Sequence, residues 1–316
     1  MRIAVVGAGG VGGLLAGLLA RAGAEVVLLA RGAALAAVQG RGLELATPDG
    51  TFTARPAAAA EDAAALGPCD ATLVAVKAWQ VAALAPSLAP LLGGGGIVVP
   101  LQNGVEAAAR LAAALPPERV AGGLCFLYAW AEAPGRIRHT GAPPRVTLGS
   151  RPGAPLDHRL GRLAVVLGSA GIQAGVVADV EAAAWEKLLF IGPLGLLGAV
   201  SRAPAGPLRS QGEPRALLGA LMAEVAAVAG ARGVGLGPDV VARTLAKVDA
   251  VPAEATASMQ RDLASGRPSE LYDQAGAVVR LAHEVAVPVP LHEAFWTALL
   301  PLERAARGDQ VGFERT

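Results

Sequence analysis

The sequence predicts an α/β domain built on a parallel sheet, followed by an all-helical domain. Short β-branched runs alternate with Ala- and Leu-rich stretches through the first half of the 316-residue chain, and a glycine-rich turn follows the first run. Such alternation is typical of a parallel sheet that helices cover on both faces. After Asp179 the β-branched runs stop and helical patterns take over. We therefore expect one domain over residues 1–178 and a helical domain over residues 179–316.

The elements of the first domain follow from the spacing of its apolar residues. Strands are predicted at Arg2–Val6, Glu25–Leu29, Ala71–Val76, Ile97–Val99 and Val120–Leu124. Helices are predicted between them at Gly10–Ala22, Ala33–Gln39, Glu61–Leu66, Gln80–Leu91 and Val105–Ala114. An antiparallel hairpin is expected where the Gly/Pro turn Gly141–Pro144 separates Arg136–His139 from Arg145–Leu148. The domain is expected to close with a helix over Leu156–Ser169 and a strand over Gln173–Val177.

The second domain shows helical periodicity throughout. Its helices are predicted at Val180–Phe190, Arg215–Ala231, Pro238–Val248, Ala253–Ala264, Ser269–Glu284 and Leu291–Arg307.

The composition excludes some function classes. Lys and Arg number 27 against 26 Asp and Glu, so a general nucleic-acid binder, which needs a basic excess, is not expected. The cysteines, Cys69 and Cys125, are too few for a disulfide framework. We expect each to be a small buried residue in a reducing compartment.

An uncharged apolar run near the N-terminus, Ile3–Ala20, has nearly the length of a membrane span and resembles a secretory signal. Its six glycines at ordered spacings and its strand-like start favour a soluble domain instead. We expect no membrane segment and a cytoplasmic chain. The alternative is a cleaved signal and an exported protein, which the mass of the mature N-terminus would reveal.

The first strand runs into Gly7-Ala8-Gly9-Gly10-Val11-Gly12, which fits the G-x-G-x-x-G pattern of dinucleotide-binding proteins. The first glycine of that pattern permits a tight turn, the second lets the backbone approach a pyrophosphate, and the third lets helix and strand pack closely. Unpaired N–H groups at the helix start would hold the anion. The alternative is a plain turn in a glycine-rich protein, but the position between a strand and an apolar helix favours dinucleotide binding.

The end of the second predicted strand indicates which dinucleotide is bound. NAD sites usually carry Asp or Glu about 20 residues after the turn. This strand instead ends in Leu29, Ala30 and Arg31. A guanidinium can bind a 2′-phosphate through two hydrogen bonds, so NADPH is the expected cofactor unless Arg31 is only a surface charge.

Further short motifs occur in a fixed order along the chain. They are Lys77-Ala78-Trp79-Gln80, Gln102-Asn103-Gly104, Trp185-Glu186-Lys187-Leu188-Leu189, Ser258-Met259-Gln260-Arg261-Asp262 and Glu270-Leu271-Tyr272. With the glycine turn, this set resembles the ketopantoate reductase (2-dehydropantoate 2-reductase) family from Arg2 to about Arg304. The family is similar to 6-phosphogluconate-dehydrogenase-like proteins. The resemblance therefore implies an NADP-binding Rossmann domain and a helical domain for substrate binding and dimerisation.

The resemblance also implies the activity, the NADPH-dependent reduction of 2-dehydropantoate to (R)-pantoate on the route to pantothenate and coenzyme A. Carried over by motif, Lys187 is the general acid and Ser258 binds the substrate carboxylate. Lys77 and Asn103 lie at the cofactor and substrate side, and Glu270 contacts the cofactor or the catalytic lysine. A lysine ammonium suits this role because it can stabilise and protonate the alkoxide that hydride transfer creates.

Taken singly, each of these residues has a more ordinary explanation, such as a solvated charge, a helix start or a turn. Their joint order favours the family. The expected partner is a small-molecule 2-keto acid, with no metal, no nucleic acid and no membrane, and a homodimer remains open.

The chain departs from the family at positions where asparagines bind the hydroxyl and carboxylate of ketopantoate. The residues present instead are Ile191, Gly195, Ala205 and Ala255. Each missing buried hydrogen bond costs ~1–3 kcal/mol, so the substrate remains open between 2-dehydropantoate and a more apolar 2-keto acid or ketone. A catalytically silent NADPH-binding protein is a further alternative, which the joint retention of Lys187, Ser258 and Glu270 disfavours.

Overall fold

The computed structural model describes residues 1–154 and 157–308 of the chain. They divide into two compact units: residues 1–102 and 106–180 form the first, and residues 103–105 join the chain from Glu181 onward in the second. The predicted fold class, a parallel α/β domain followed by a helical domain, is confirmed. Leu156, the predicted start of a helix, and residues 309–316 of the predicted second domain lie outside the described residues.

The strands and helices of the first unit alternate along most of its length. The strands are β1 (Arg2–Val6), β2 (Glu25–Leu29), β3 (Leu43–Thr47), β4 (Gly50–Ala54), β5 (Ala58–Ala60), β6 (Ala71–Val74), β7 (Ile97–Pro100), β8 (Gly122–Ala133), β9 (Arg136–Gly149) and β10 (Gln173–Val176). The helices are α1 (Gly10–Arg21), α2 (Gly32–Arg41), α3 (Ala63–Leu66), α4 (Val81–Leu84), α5 (Ala107–Ala112) and α6 (His158–Ser169). Short 3₁₀ segments lie at Ala78–Gln80, Ala85–Gly95 and Pro117–Arg119.

The centre of the first unit is a parallel sheet in the order β5-β2-β1-β6-β7. β1 pairs with β2 on one side and with β6 on the other, and its residues Ile3–Val6 are buried. Because the strands run in one direction, the segments that follow β1, β2, β6 and β7 leave the sheet at the same edge. Open α/β sheets bind their ligands at this carboxyl edge.

The second sheet of the first unit differs from the prediction. The hairpin predicted within residues 136–148 is wrong, because β9 runs unbroken from Arg136 to Gly149 and pairs in antiparallel with β8. The ladder shifts register where Tyr128 faces Thr140 and Phe126 faces Arg145, so residues 141–144 form an irregularity rather than a turn. Prolines, which lack an N–H donor, fit such an unpaired stretch.

Other predictions for the first unit were incomplete. The strand expected at Val120–Leu124 begins at Gly122 and lies in the second sheet, with only Val120 bridged to β7. The helix expected at Gln80–Leu91 is broken into α4 and 3₁₀ turns that contain Pro90. The short strands β3, β4 and β5 were missed. Both cysteines are buried, as predicted.

The second unit is helical. Its helices are α7 (Val180–Ser201, whose first residue belongs to the first unit), α8 (Ala205–Ser210), α9 (Gly212–Ala231), α10 (Val240–Asp249), α11 (Ser258–Ala264), α12 (Ala275–Glu284) and α13 (Pro290–Arg307). Trp185 of α7, Met222 of α9 and Val278 of α12 are buried in one apolar cluster that forms the core of this unit.

Two of these helices, α7 and α9, are long and apolar enough to cross a membrane by length and composition. Buried core helices of soluble proteins have the same properties. In α7, 61% of the most apolar window is buried within the protein, and in α9 33% is.

Two predicted helices begin later than expected. α11 begins at Ser258 rather than Ala253, because the carbonyls of Ala253 and Ala255 accept hydrogen bonds from the backbone N–H groups of Gly206 and Ala205. α12 begins at Ala275 rather than Ser269, and the intervening residues form a turn.

Candidate active site

The glycine turn lies between β1 and α1 in the first unit. Gly7 has a φ of +102°, which glycine adopts readily, and its N–H donates to the Leu29 carbonyl of β2 (2.8 Å). A Cβ atom on Gly12 would overlap the Gly7 carbonyl oxygen, so position 12 has room for glycine alone. Gly9 is exposed, and a Cβ atom there would meet nothing within 4 Å. The turn is closely packed beneath and open at its tip, as pyrophosphate binding requires.

The other residues of the turn support this shape. Ala8 and Val11 pack against the core of the first unit. Gly10 begins α1, and a Cβ atom on it would collide with the backbone of Ala129 and Trp130 in β8. The N-terminus of α1 therefore abuts β8 on one side.

Arg31 and Lys77 follow β2 and β6, the strands on either side of β1. Arg31 is exposed and immediately precedes α2. Lys77 is exposed, its N–H donates to Gln80 Oε1 (3.1 Å), and its Nζ lies 5.7 Å from the centre of the Trp79 ring. Both cations thus lie at the sheet edge that carries the glycine turn.

Gln102 is a supporting residue at this edge that was not among the predicted site residues. Its buried side chain donates through Nε2 to the carbonyls of Val74 (2.8 Å) and Val76 (2.9 Å). A Cβ atom on Gly7 would lie 3.0 Å from Val76 Cγ1. Gln102 therefore fixes the chain segment against which the glycine turn packs. Its place in the Gln102-Asn103-Gly104 motif was the available signal.

Asn103 and Glu270, 167 positions apart in the sequence, are direct partners in the second unit. Asn103 Nδ2 donates to Glu270 Oε2 (3.0 Å), and Gln274 Nε2 approaches the same oxygen at 3.4 Å. Gly104 has a φ of +97°, and a Cβ atom on it would lie 2.5 Å from the Asp273 carbonyl oxygen. Glycine at 104 thus lets residues 103–105 pack against the turn that contains Glu270.

Lys187 lies on α7 and is only 7% exposed. The two residues before it lie on different faces of the helix. Trp185 is buried in the core, whereas Glu186 forms ion pairs with Arg243 (3.0 Å) and Lys247 (3.4 Å). The explanation of Lys187 as a solvated charge is therefore wrong. Burying an ammonium is costly, so a buried lysine is a candidate for a functional site.

Ser258 is the half-buried first residue of α11. This end of α11 packs against α7, since a Cβ atom on Gly195 would lie 3.1 Å from both Ala257 Cβ and Met259 Cε. The contact of Glu270 with Lys187 and the role of Ser258 remain predictions.

The positions that depart from the family fall on α7, α8 and the segment before α11. Ile191 is half-buried on α7, one turn before Gly195. Ala205 is buried, and its N–H donates to the carbonyl of the half-buried Ala255 (2.9 Å). None of the four side chains can donate or accept a hydrogen bond.

Within residues 1–154 and 157–308 there is no group of three or more His, Cys, Asp or Glu residues that could hold a metal ion. The residues that fit a cofactor are those of the glycine turn together with Arg31. The open tip at Gly9 suits a pyrophosphate, and an exposed guanidinium suits a further phosphate group.

Comparison with known proteins gives consistent matches over most of the chain. Residues 3–153 match the family model "Ketopantoate reductase PanE/ApbA", and residues 179–303 match "Ketopantoate reductase PanE/ApbA C terminal". A 2-dehydropantoate 2-reductase of Halobacterium salinarum is 33% identical over 292 residues, which cover 92% of this chain and 95% of that protein.

Solved structures agree with these matches. A crystal structure of a PanE/ApbA family ketopantoate reductase from Ralstonia eutropha has a TM-score of 0.86 at 30% identity and covers 97% of this chain and 100% of its own. The 2-dehydropantoate 2-reductase of Methylococcus capsulatus has the same TM-score and identity, with 97% and 98% coverage. The resemblance read from the sequence motifs is confirmed.

Proposed function

Because the chain belongs to the ketopantoate reductase family of oxidoreductases, we propose that it reduces 2-dehydropantoate to (R)-pantoate with NADPH, in the synthesis of pantothenate and coenzyme A. The observation that carries the proposal is the burial of Lys187 in the same unit as the hydrogen-bonded pair Asn103 and Glu270. A buried lysine and a part-buried amide–carboxylate pair supply a proton donor and polar groups that can orient a keto acid.

The first unit would hold the cofactor. The N–H groups at the start of α1 would bind an anion at the Gly9 tip. Arg31 follows the neighbouring strand β2, where an NAD site would carry an acid. When bound, a reduced nicotinamide cofactor supplies the hydride that forms the new C–H bond at the carbonyl carbon.

The second unit would supply the proton. As the carbonyl carbon is reduced, its oxygen develops negative charge, and the Lys187 ammonium stabilises that charge and transfers one proton to it. Glu270, whose carboxylate already accepts from Asn103, helps to keep a cationic donor charged and oriented. The burial of Lys187 excludes water that would weaken this interaction.

One observation favours a second candidate, the reduction of a more apolar 2-keto acid. A side chain at position 195 would meet Ala257 and Met259, so this part of the helical unit is filled by apolar atoms rather than left as a polar gap. Ile191, Ala205 and Ala255 likewise add no polar group. A keto acid with a larger apolar substituent loses less by desolvation against such a surface.

A substrate panel followed by NADPH absorbance tests both candidates. The chain is incubated with 2-dehydropantoate and with 2-keto acids of increasing apolar size, and kcat/KM is compared under one condition. Activity highest with 2-dehydropantoate supports the main proposal, and higher activity with bulkier acids supports the second candidate. Absence of turnover across the panel, together with measurable NADPH binding, would instead favour the catalytically silent alternative.

A further inference from the structure

An ion pair on α13, between the fully buried Glu303 and the partly buried Arg307, surrounds Ser269. Glu303 and Ser269 are both fully buried. The Glu303 carboxylate accepts the Ser269 N–H at 3.1 and 3.0 Å and the Ser269 hydroxyl at 2.5 Å. Arg307 donates to Glu303 Oε1 (2.6 Å) and to the Ser269 carbonyl (2.9 Å). Two side chains one helical turn apart therefore engage the N–H, the hydroxyl and the carbonyl of a single residue.

Ser269 is the residue immediately before Glu270. Its hydroxyl oxygen also accepts the N–H of Leu271 (3.2 Å), so both neighbours of Glu270 in the chain are restrained. On the other side, the Glu270 carbonyl accepts the N–H groups of Asp273 (3.1 Å) and Gln274 (2.9 Å). Glu270 lies on a turn, outside any helix or strand, and these contacts hold its backbone.

A buried carboxylate is weak evidence of stability by itself, since apolar residues of similar volume often stabilise a core as well or better. An apolar residue at position 303, however, could not accept hydrogen bonds from the Ser269 N–H and hydroxyl. The position of Glu270 therefore depends on charged groups that α13 contributes. Because Asn103 donates to Glu270, the position of the Asn103 amide depends on them as well.

We propose that Glu303, assisted by Arg307, is a positioning residue for the reductase reaction: through Ser269 it fixes Glu270 and, through Glu270, Asn103. The inference rests on the proposed function, because Glu270 and Asn103 matter for catalysis only if the chain is a reductase. Glu303 itself touches no reacting atom in this scheme.

The test compares Glu303→Gln with the same substitution at Glu224. The Glu224 carboxylate accepts the N–H groups of Leu291 (2.9 Å) and His292 (3.0 Å) and contacts His292 Nδ1 (2.7 Å) near the start of α13. It is thus a second well-bonded carboxylate that holds the other end of the same helix. Glu224→Gln controls for loss of stability without loss of the Ser269 contacts.

Two kinds of measurement are made on the full-length variants. Hydrogen–deuterium exchange reports on residues 269–274 and 103–105, and steady-state kinetics with NADPH titration report kcat, KM and the NADPH Kd. For Glu303→Gln we expect faster exchange in both segments, with kcat lowered about 10- to 100-fold, the scale of a displacement near 1 Å. The NADPH Kd should stay unchanged. Glu224→Gln should leave kcat and both exchange segments as in the wild type.

A milder variant keeps the test decisive if Glu303→Gln fails to fold. Ser269→Ala removes the hydroxyl contacts and leaves the Ser269 N–H bonded to Glu303. It should lower kcat in the same direction by a smaller factor and speed up exchange at 269–274. Combined with Glu303→Gln, it should add little, because both substitutions break one network.

Wild-type kcat in a folded Glu303→Gln variant would overturn the proposal, and so would unchanged exchange at 103–105. The failure of the proposed function looks different. In that case the wild type itself reduces no member of the substrate panel, and the exchange data alone decide whether Glu303 fixes Glu270 and Asn103.

Discussion

Alanine substitutions in the glycine turn should separate cofactor binding from stability. At Gly9 a new methyl group would meet no protein atom within 4 Å, and its φ of −76° suits any residue. At Gly12 the methyl group would overlap the Gly7 carbonyl oxygen and lie 3.2 Å from Ala75 Cβ. Gly9→Ala therefore perturbs only what binds at the tip, whereas Gly12→Ala forces the turn itself to move.

The magnitudes follow from these contacts. Gly9→Ala should change the free energy of unfolding by less than about 0.5 kcal/mol, as for other surface substitutions. If the methyl group displaces a pyrophosphate from one N–H donor, the loss is about 1.5–3 kcal/mol, or roughly 10- to 150-fold in the NADPH Kd. Gly12→Ala should lower the free energy of unfolding by about 1–3 kcal/mol, the usual cost of overpacking, and weaken NADPH binding as well.

The assay is fluorescence titration with NADPH and urea unfolding of each variant. Gly161→Ala is the control: it lies in α6, a Cβ atom there would also meet nothing within 4 Å, and it is remote in sequence from the turn. It should raise helix stability by up to about 1 kcal/mol and leave the NADPH Kd unchanged. A wild-type NADPH Kd in Gly9→Ala would refute the assignment of the turn tip as the pyrophosphate site.

Three further predictions concern single side chains. Arg31→Ala should weaken NADPH binding far more than NADH binding in parallel titrations, and equal losses would contradict a 2′-phosphate contact. Lys187→Ala should lower kcat by ~10²–10⁴-fold with an unchanged NADPH Kd, the scale of lost general acid catalysis, whereas the exposed control Lys247→Ala should keep wild-type turnover. Burial opposes ionisation of Glu224, but hydrogen bonds from the His292 ring and from the N–H groups of Leu291 and His292 outweigh it and lower the carboxyl pKa below its ordinary 4.5. Because the folded-state pKa is the lower one, this stabilisation is present above pH 4.5 and is lost as the pH falls through the folded value. The free energy of unfolding, measured with urea across that pH range, should therefore fall less steeply with decreasing pH in Glu224→Gln than in the wild type.

The parallel sheet was predictable because its central strands carry the signal in their own residues. Ile3–Val6 and its neighbours are buried on both faces, so they read as continuous apolar runs. The edge strand β5 of the same sheet was not predictable in this way. It consists of Ala58–Ala60, residues with no strand preference of their own, and its place is decided by pairing with β2. In the second sheet, the Gly/Pro cluster at 141–144 indicates a turn when it is considered alone. In the structure β9 continues through it, because β9 pairs with β8 on both sides of the cluster.

The candidate site shows the same division. The glycine turn could be predicted because its function depends on local backbone geometry. The contacts of Ser269 could not, because Glu303 and Arg307 lie 34 and 38 positions away and are typical of an exposed helix end when read from the sequence. Lys187 and Glu186 are adjacent in sequence, but only the structure distinguishes the buried lysine from the surface glutamate.

The assignment of residues 103–105 to the second unit makes that unit discontinuous in the polypeptide. A fragment that starts at Glu181 would contain Lys187 and Glu270 but not the Asn103 amide that donates to Glu270. A chimera with a single junction near residue 180 would take its helical half from a relative. It would therefore combine the Glu270 of one protein with the Asn103 of another. The chemistry of this unit is inherited intact only when both stretches of chain are inherited together.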